Sequence, residues 1–164
     1  MSQALPPDAA GIVFRSCRSP LDKRTAGKLL AEWGIPEAER GVASTDLFGL
    51  WDLTAPAGES LLAAAATGPL GDGGDVELRG IAMVAADEHH GLDRRLVCEV
   101  ADSLRARGAA RLVARPTGRA GPAPGLLRGA GFVRAAADCA RTPVGARQTG
   151  APADEEGGSW ELEL

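Results

Sequence analysis

The chain has 164 residues, 45% of them apolar, and a formal net charge of −4. That is ample for one domain with its own core, and the acidic balance argues against a general nucleic-acid or membrane-surface role. No run of about 18 or more apolar residues marks a membrane-spanning helix, and the opening "MSQALPPDAAG" lacks the basic and apolar regions of a secretory signal.

Residues 1–10, rich in Pro and Ala, are expected to be disordered, and residues 11–164 to form a single domain. "GIVFRSC" (11–17) alternates and predicts a strand. Ser19 before Pro20, with Asp22 three residues on, predicts a helix start, and Gly34 a helix stop just after Trp33. "PEAERGVAS" is a candidate for a short second helix. "DLFGLWDL" (46–53) and "SLLAAAATG" (60–68) predict two strands, the second on weak propensity because alanine also suits helices. "GPLGDGGD" (68–75) is a turn and "VELRGIAMVA" (76–85) a further strand.

Leu92, Leu96, Val100 and Leu104 then recur every fourth residue, widened by Val97 and Ala101. That spacing predicts an amphipathic helix ending near Gly108. "RLVA" (111–114) reads as a short buried strand, "GPAPGLLRGAG" (121–131) as a short helix and "FVRAA" (132–136) as a strand. Residues 137–158 form a long Pro/Gly-rich connection, and "SWELEL" closes the chain as a strand. Three consecutive strands argue for antiparallel neighbours, and the strand–helix–strand unit over 76–114 for one parallel crossover. The expected class is α+β, with a mixed central sheet and helices on its faces.

Cys17, Cys98 and Cys139 are odd in number and form no CxxC pair, which argues for a reduced, cytoplasmic protein without a disulfide or zinc framework. Tyrosine is absent, and lysine occurs only at Lys23 and Lys28. Richness in Ala, Gly, Pro and Arg fits a GC-rich bacterial genome.

"DEHHGLDRR" (87–95) holds five Asp, Glu or His residues in nine. One reading is a metal cluster. However, side chains of adjacent histidines on a tight loop tend to diverge, and no HxxxH or HExxH spacing occurs, so no metal is assigned. The other reading is a phosphate turn. The first amides of a helix lack intrahelical partners, the helix dipole adds positive charge there, and small residues let the backbone approach an anion.

From residue 76 to 132 the chain resembles the GNAT acyltransferase superfamily. The resemblance rests on "VELRGIAMVAADEHHGLDRRLVCEVADSLRARGAARLVARPTG" and the later "LLRGAGF". It implies a mixed sheet, mostly antiparallel with one splayed parallel pair, and helices on both faces. It also implies an N-acyltransferase using acetyl-CoA or another acyl-CoA as cosubstrate and a small-molecule or peptide amine as acceptor. Ala82, Met83 and Val84 would hold the pantetheine arm, and His89, His90, Gly91, Leu92, Asp93 and Arg94 the pyrophosphate. Glu77, at the spacing where some members carry a general base, would deprotonate the amine, usually through water. The alternative for Glu77 is a solvent-facing residue on a half-exposed strand.

The departures are specific. Glu88 stands where the family carries Arg or Gln, and Asp93 where it carries Gly or Ala. Ala120 and Leu127 occupy the usual Asn and Tyr positions, so the family's general acid is missing. Water, Ser60 or Cys139 would have to replace it. Two further alternatives are a non-catalytic GNAT-like binding or regulatory module with weakened CoA binding, and a GNAT fold with other chemistry in metabolite biosynthesis. No nucleic-acid or membrane partner is expected, and a homodimer through sheet edges is left open.

Overall fold

Strand β1 (Ile12–Ser16) leads into helix α1 (Pro20–Glu32) through a built-in start signal. The Ser19 hydroxyl accepts the Asp22 N–H at 3.0 Å, and Pro20 occupies the first helical position, where no N–H is needed. Trp33 caps the C-terminus, and Gly34, at φ +78°, turns the chain off the helix axis. The computed structural model describes residues 11–35, 45–56, 59–84, 91–115, 122–135 and 158–164. The short helix expected from "PEAERGVAS", residues 1–10 and the connection at 137–157 lie outside these.

Strands β2 (Asp46–Asp52), β3 (Ser60–Thr67) and β4 (Asp75–Met83) form an antiparallel meander. Helix α2 (Leu92–Arg105) crosses back to β5 (Arg111–Ala114), which pairs with β4 in parallel. Helix α3 (Pro124–Gly129), β6 (Val133–Arg134) and β7 (Trp160–Glu163) complete the chain. The sheet has seven strands in the order β1-β2-β3-β4-β5-β7-β6, so the last strand inserts between β5 and β6. This is the α+β mixed sheet with one parallel pair that the sequence implied. Two strands are shorter than expected: the 76–85 strand ends at Met83, and the 132–136 strand keeps only two residues.

The sheet is covered on both faces. On one, Ala26, Leu29, Leu30 and Ile35 pack on Leu47, Leu61, Ala64, Ala66 and Ala82. On the other, the α2 stripe of Leu92, Leu96, Val97, Val100, Ala101 and Leu104 packs with Leu127 of α3 on Phe48, Leu50, Ala63, Ala65, Val76, Leu78 and Leu112. This double cover explains the alanine run. Ala63, Ala64, Ala65 and Ala66 are fully buried, and small side chains let a helix approach from each side.

Two features shape β4. Asp75 and Arg111, partners at the start of the parallel pair, are joined by two hydrogen bonds of 2.9 and 3.0 Å. Further along, the register against β3 shifts: Ala66 faces Gly80, yet Thr67 faces Leu78, leaving Arg79 as an extra residue in a bulge.

Candidate active site at the open edge of the fourth strand

The β4–β5 pairing covers only Asp75–Leu78 against Arg111–Ala114, while β4 runs on to Met83. Among the described residues, five of β4, about 17 Å of strand, therefore continue beyond the parallel partner. On the other side β4 stays paired to β3, with Ala63 facing Met83 and Ala65 facing Ile81. The Val84 N–H donates to the Leu62 carbonyl at 2.8 Å. By the alternation of antiparallel ladders, the main-chain groups of Ala82 and Val84 then point to β3, and those of Ile81 and Met83 to the open edge. Of the three residues expected to hold a pantetheine arm, only Met83 turns its backbone outward. Ile81 is the second outward residue, and its signal was the period of two along the strand.

Glu77 stands at the closed end of this edge, opposite Val113 of β5. Its neighbours Val76 and Leu78 pack on the α2 side, so Glu77 projects to the α1 side. Its carboxylate lies 3.7 Å from Arg79 Nε and 3.9 Å from Arg115 Nη1. Arg79 is in turn hydrogen-bonded to Thr45 Oγ1 at 3.0 Å. Glu77 is thus neither buried nor free in solvent; it is half-exposed and held between two guanidinium groups.

The other end of the edge leads toward the start of α2. Gly91, at φ +85°, precedes the helix, and among the described residues no side chain caps it. A side chain there would be strained by the left-handed backbone, although the space around it is open. Leu92 is buried and locks the helix register. The Asp93 carboxylate accepts the Arg94 N–H at 2.7 Å. The Arg94 side chain is exposed, whereas Arg95 turns under the helix and donates to the Ile12 carbonyl at 2.9 Å. Arg95 thereby ties α2 to β1 rather than serving the turn. Glu88, His89 and His90 lie outside the described residues, and among those described no group of three or more His, Cys, Asp or Glu gathers as a metal site.

The candidate acids fare differently. Gly68 donates to the Glu77 carbonyl, so Ser60, eight residues back along β3, is about 26 Å from Glu77. Ser60 is not placed to serve the same reacting atoms. Leu127 is fully buried in the core facing α2. Ala120 and Cys139 lie outside the described residues.

Ser60 instead lines a groove of about 460 Å³ between α1 and β1–β3, with Arg15, Asp22, Lys28, Trp51 and Glu59. Arg15 bridges Glu59 at 2.7 Å and Asp22 at 3.4 Å, and its guanidinium lies 4.3 Å over the Trp51 ring. The hydrogen bond from Arg15 pulls the Glu59 carboxyl below its ordinary range. Trp33 lies over the open edge, where its indole Nε1 donates to the Met83 carbonyl at 2.9 Å.

Solved structures share this architecture. The GNAT family N-acetyltransferase YhbS from Escherichia coli, in complex with CoA, superposes with a TM-score of 0.64 at 22% identity, over 98% of this chain and 85% of that one. The ribosomal-protein-S18-alanine N-acetyltransferase from Escherichia coli gives 0.57 at 20% identity, over 93% of each chain. A GNAT family acetyltransferase from Brucella melitensis in complex with acetyl-CoA gives 0.56 at 19% identity, over 74% of this chain and 82% of that one. No protein-family model matches the sequence, and no curated protein matches it. The seven-stranded sheet and its single parallel pair are thus the GNAT fold.

Proposed function

We propose that the protein is an acyl-CoA-dependent N-acyltransferase that moves an acetyl or other acyl group from coenzyme A to an amine. The observation that supports this best is the open edge of β4. Its five residues, about 17 Å beyond a carboxylate at the closed end, give a length suited to an extended pantetheine arm. The three compared structures are acetyltransferases by name, and two hold CoA or acetyl-CoA.

In this reading Ile81 and Met83 offer main-chain groups to the pantetheine amides, and the start of α2 from Gly91 to Arg94 receives the pyrophosphate through main-chain N–H groups, that of Arg94 giving up its bond to Asp93. His89 and His90 are assigned to pyrophosphate binding in the same reading. Acyl-CoA supplies the activated thioester. Glu77 takes a proton from the acceptor ammonium, directly or through water, and the freed amine attacks the thioester carbonyl. The tetrahedral adduct loses a second proton from its nitrogen to water and collapses as the C–S bond breaks. The thiolate leaves and takes a proton from water, since no tyrosine exists to give it. Arg79 and Arg115 hold the Glu77 carboxylate at the mouth of the splay. A pair at nearly 4 Å is a weak positional restraint, and it leaves the carboxylate free to bond water.

A second reading is favoured by the Asp93–Arg94 contact. A carboxylate already bonded to the first turn of α2 acts as an internal anion, which suits a binding or regulatory module with weakened affinity for CoA. Calorimetric titration with acetyl-CoA, joined to thiol-release assays over a panel of small amines and N-terminal peptides, separates the two. Binding with amine-dependent thiol release supports the enzyme. Binding without release from any amine supports the module, and no binding overturns both. The last strands, of which β6 is the outer one, are the candidate surface for a homodimer.

A further inference from the structure

Along its open edge β4 presents the main-chain groups of Ile81 and Met83, and one of these is already engaged. The Met83 carbonyl accepts the Trp33 indole N–H at 2.9 Å. Trp33 is the C-cap of α1, Gly34 turns the chain at φ +78°, and Ile35 settles against Gly80. The end of α1 is therefore fastened along residues 80–83 at two points of different character. Ile35 is 1% exposed and fixed in the core. Trp33 is 44% exposed, and its single polar bond lies where water or another donor can replace it.

An unpaired strand edge accepts an extended chain through main-chain hydrogen bonds. The pantetheine arm of acyl-CoA is such a chain, with two amide N–H donors. The indole nitrogen already occupies the outward side of the Met83 carbonyl, where a pantetheine amide running along the edge would come, so the two compete for one place. The geometry points to Trp33 as a gate on the cofactor channel: its indole holds the Met83 carbonyl while the channel is empty and yields it to a pantetheine amide when acyl-CoA enters. This rests on the acyl-CoA reading above.

Coenzyme A titrated into the full chain tests the gate, with calorimetry and tryptophan emission followed for the parent and for Trp33→Phe. Trp51 and Trp160 are 4% and 5% exposed, so a ligand-dependent change in emission comes chiefly from Trp33. The parent's emission should change with coenzyme A and that of Trp33→Phe should not. Trp33→Phe should bind about fivefold more tightly, since the ligand no longer displaces a hydrogen bond. The parent's emission reads the same event without any substitution. A parent that binds with unchanged emission overturns the gate, as does a Trp33→Phe variant that binds no better than the parent. In either case the acyl-CoA reading stands. No heat of binding in either protein overturns the acyl-CoA reading and the gate with it.

Discussion

The main-chain N–H of Arg94 donates to Asp93 Oδ1 at 2.7 Å, so the first turn of α2 carries an anion of its own. A negative charge there favours the helix by roughly 0.3–1 kcal/mol. The same charge opposes a pyrophosphate at the same amides. Asp93→Ala should therefore tighten coenzyme A by about tenfold, near 1.4 kcal/mol, while leaving the melting temperature equal or slightly lower. Calorimetry on the pair of proteins measures this, and equal affinities would remove the helix start from the cofactor site.

Glu77→Gln keeps the shape of the side chain and removes its capacity to take a proton. The expected result is a kcat lower by roughly 100-fold or more, with coenzyme A affinity nearly unchanged. Full activity in the variant would return Glu77 to a structural partner of Arg79 and Arg115.

A Cβ placed on Gly80 would run into Ile35 Cδ1 and come within 2.9 Å of Ile35 Cγ1. Gly80→Ala should thus cost about 1–3 kcal/mol by overpacking. The cost should shrink in an Ile35→Ala background, because the two changes share one space. Chemical denaturation of the four proteins of the cycle gives the coupling, and additive costs would show that Ile35 does not seat on Gly80.

Arg15 holds Glu59 below the ordinary carboxylate range, chiefly through their hydrogen bond. A group whose folded pKa is depressed adds stability above its unfolded pKa and loses it as pH falls through the folded value. Glu59→Gln should lower the melting temperature slightly at pH 7, and the difference should close as the pH drops below about 4. A gap that persists unchanged at low pH would assign the effect to packing.

Burial pushes the Cys17 thiol up to about 12, and burial also raises that of Cys98, which is nonetheless exposed. At pH 8 iodoacetamide should modify Cys98 slowly and leave Cys17 untouched until denaturant is added, since the thiolate is the reactive form. Peptide mapping by mass spectrometry resolves the two sites. Early labelling of Cys17 would mean that the α1 face opens readily.

Much of the fold was legible locally. The Ser19–Pro20–Asp22 start, the fourfold spacing from Leu92 to Leu104 and the order of strands and helices rest on chain-neighbour chemistry, so the α+β class and the parallel crossover could be inferred from them. The candidate site was legible in part for the same reason. Gly91 follows from the need for a backbone turn before a helix, and Glu77 from its position on a strand.

What the chain neighbourhood could not contain was decided by distant partners. Alanines 63–66 form a strand because helices bury both faces, overriding a helical preference. Ser60 falls about 26 Å from Glu77 because an antiparallel strand carries its two ends apart. Met83 faces the open edge and Ala82 does not because β3 takes alternate residues, and the bulge at Arg79 shifts that alternation. Trp33 reaches Met83 across fifty residues because α1 lies over β4. Sequence spacing therefore specified elements and their internal faces, while strand pairing and helix docking, which act between segments far apart in the chain, determined which groups meet.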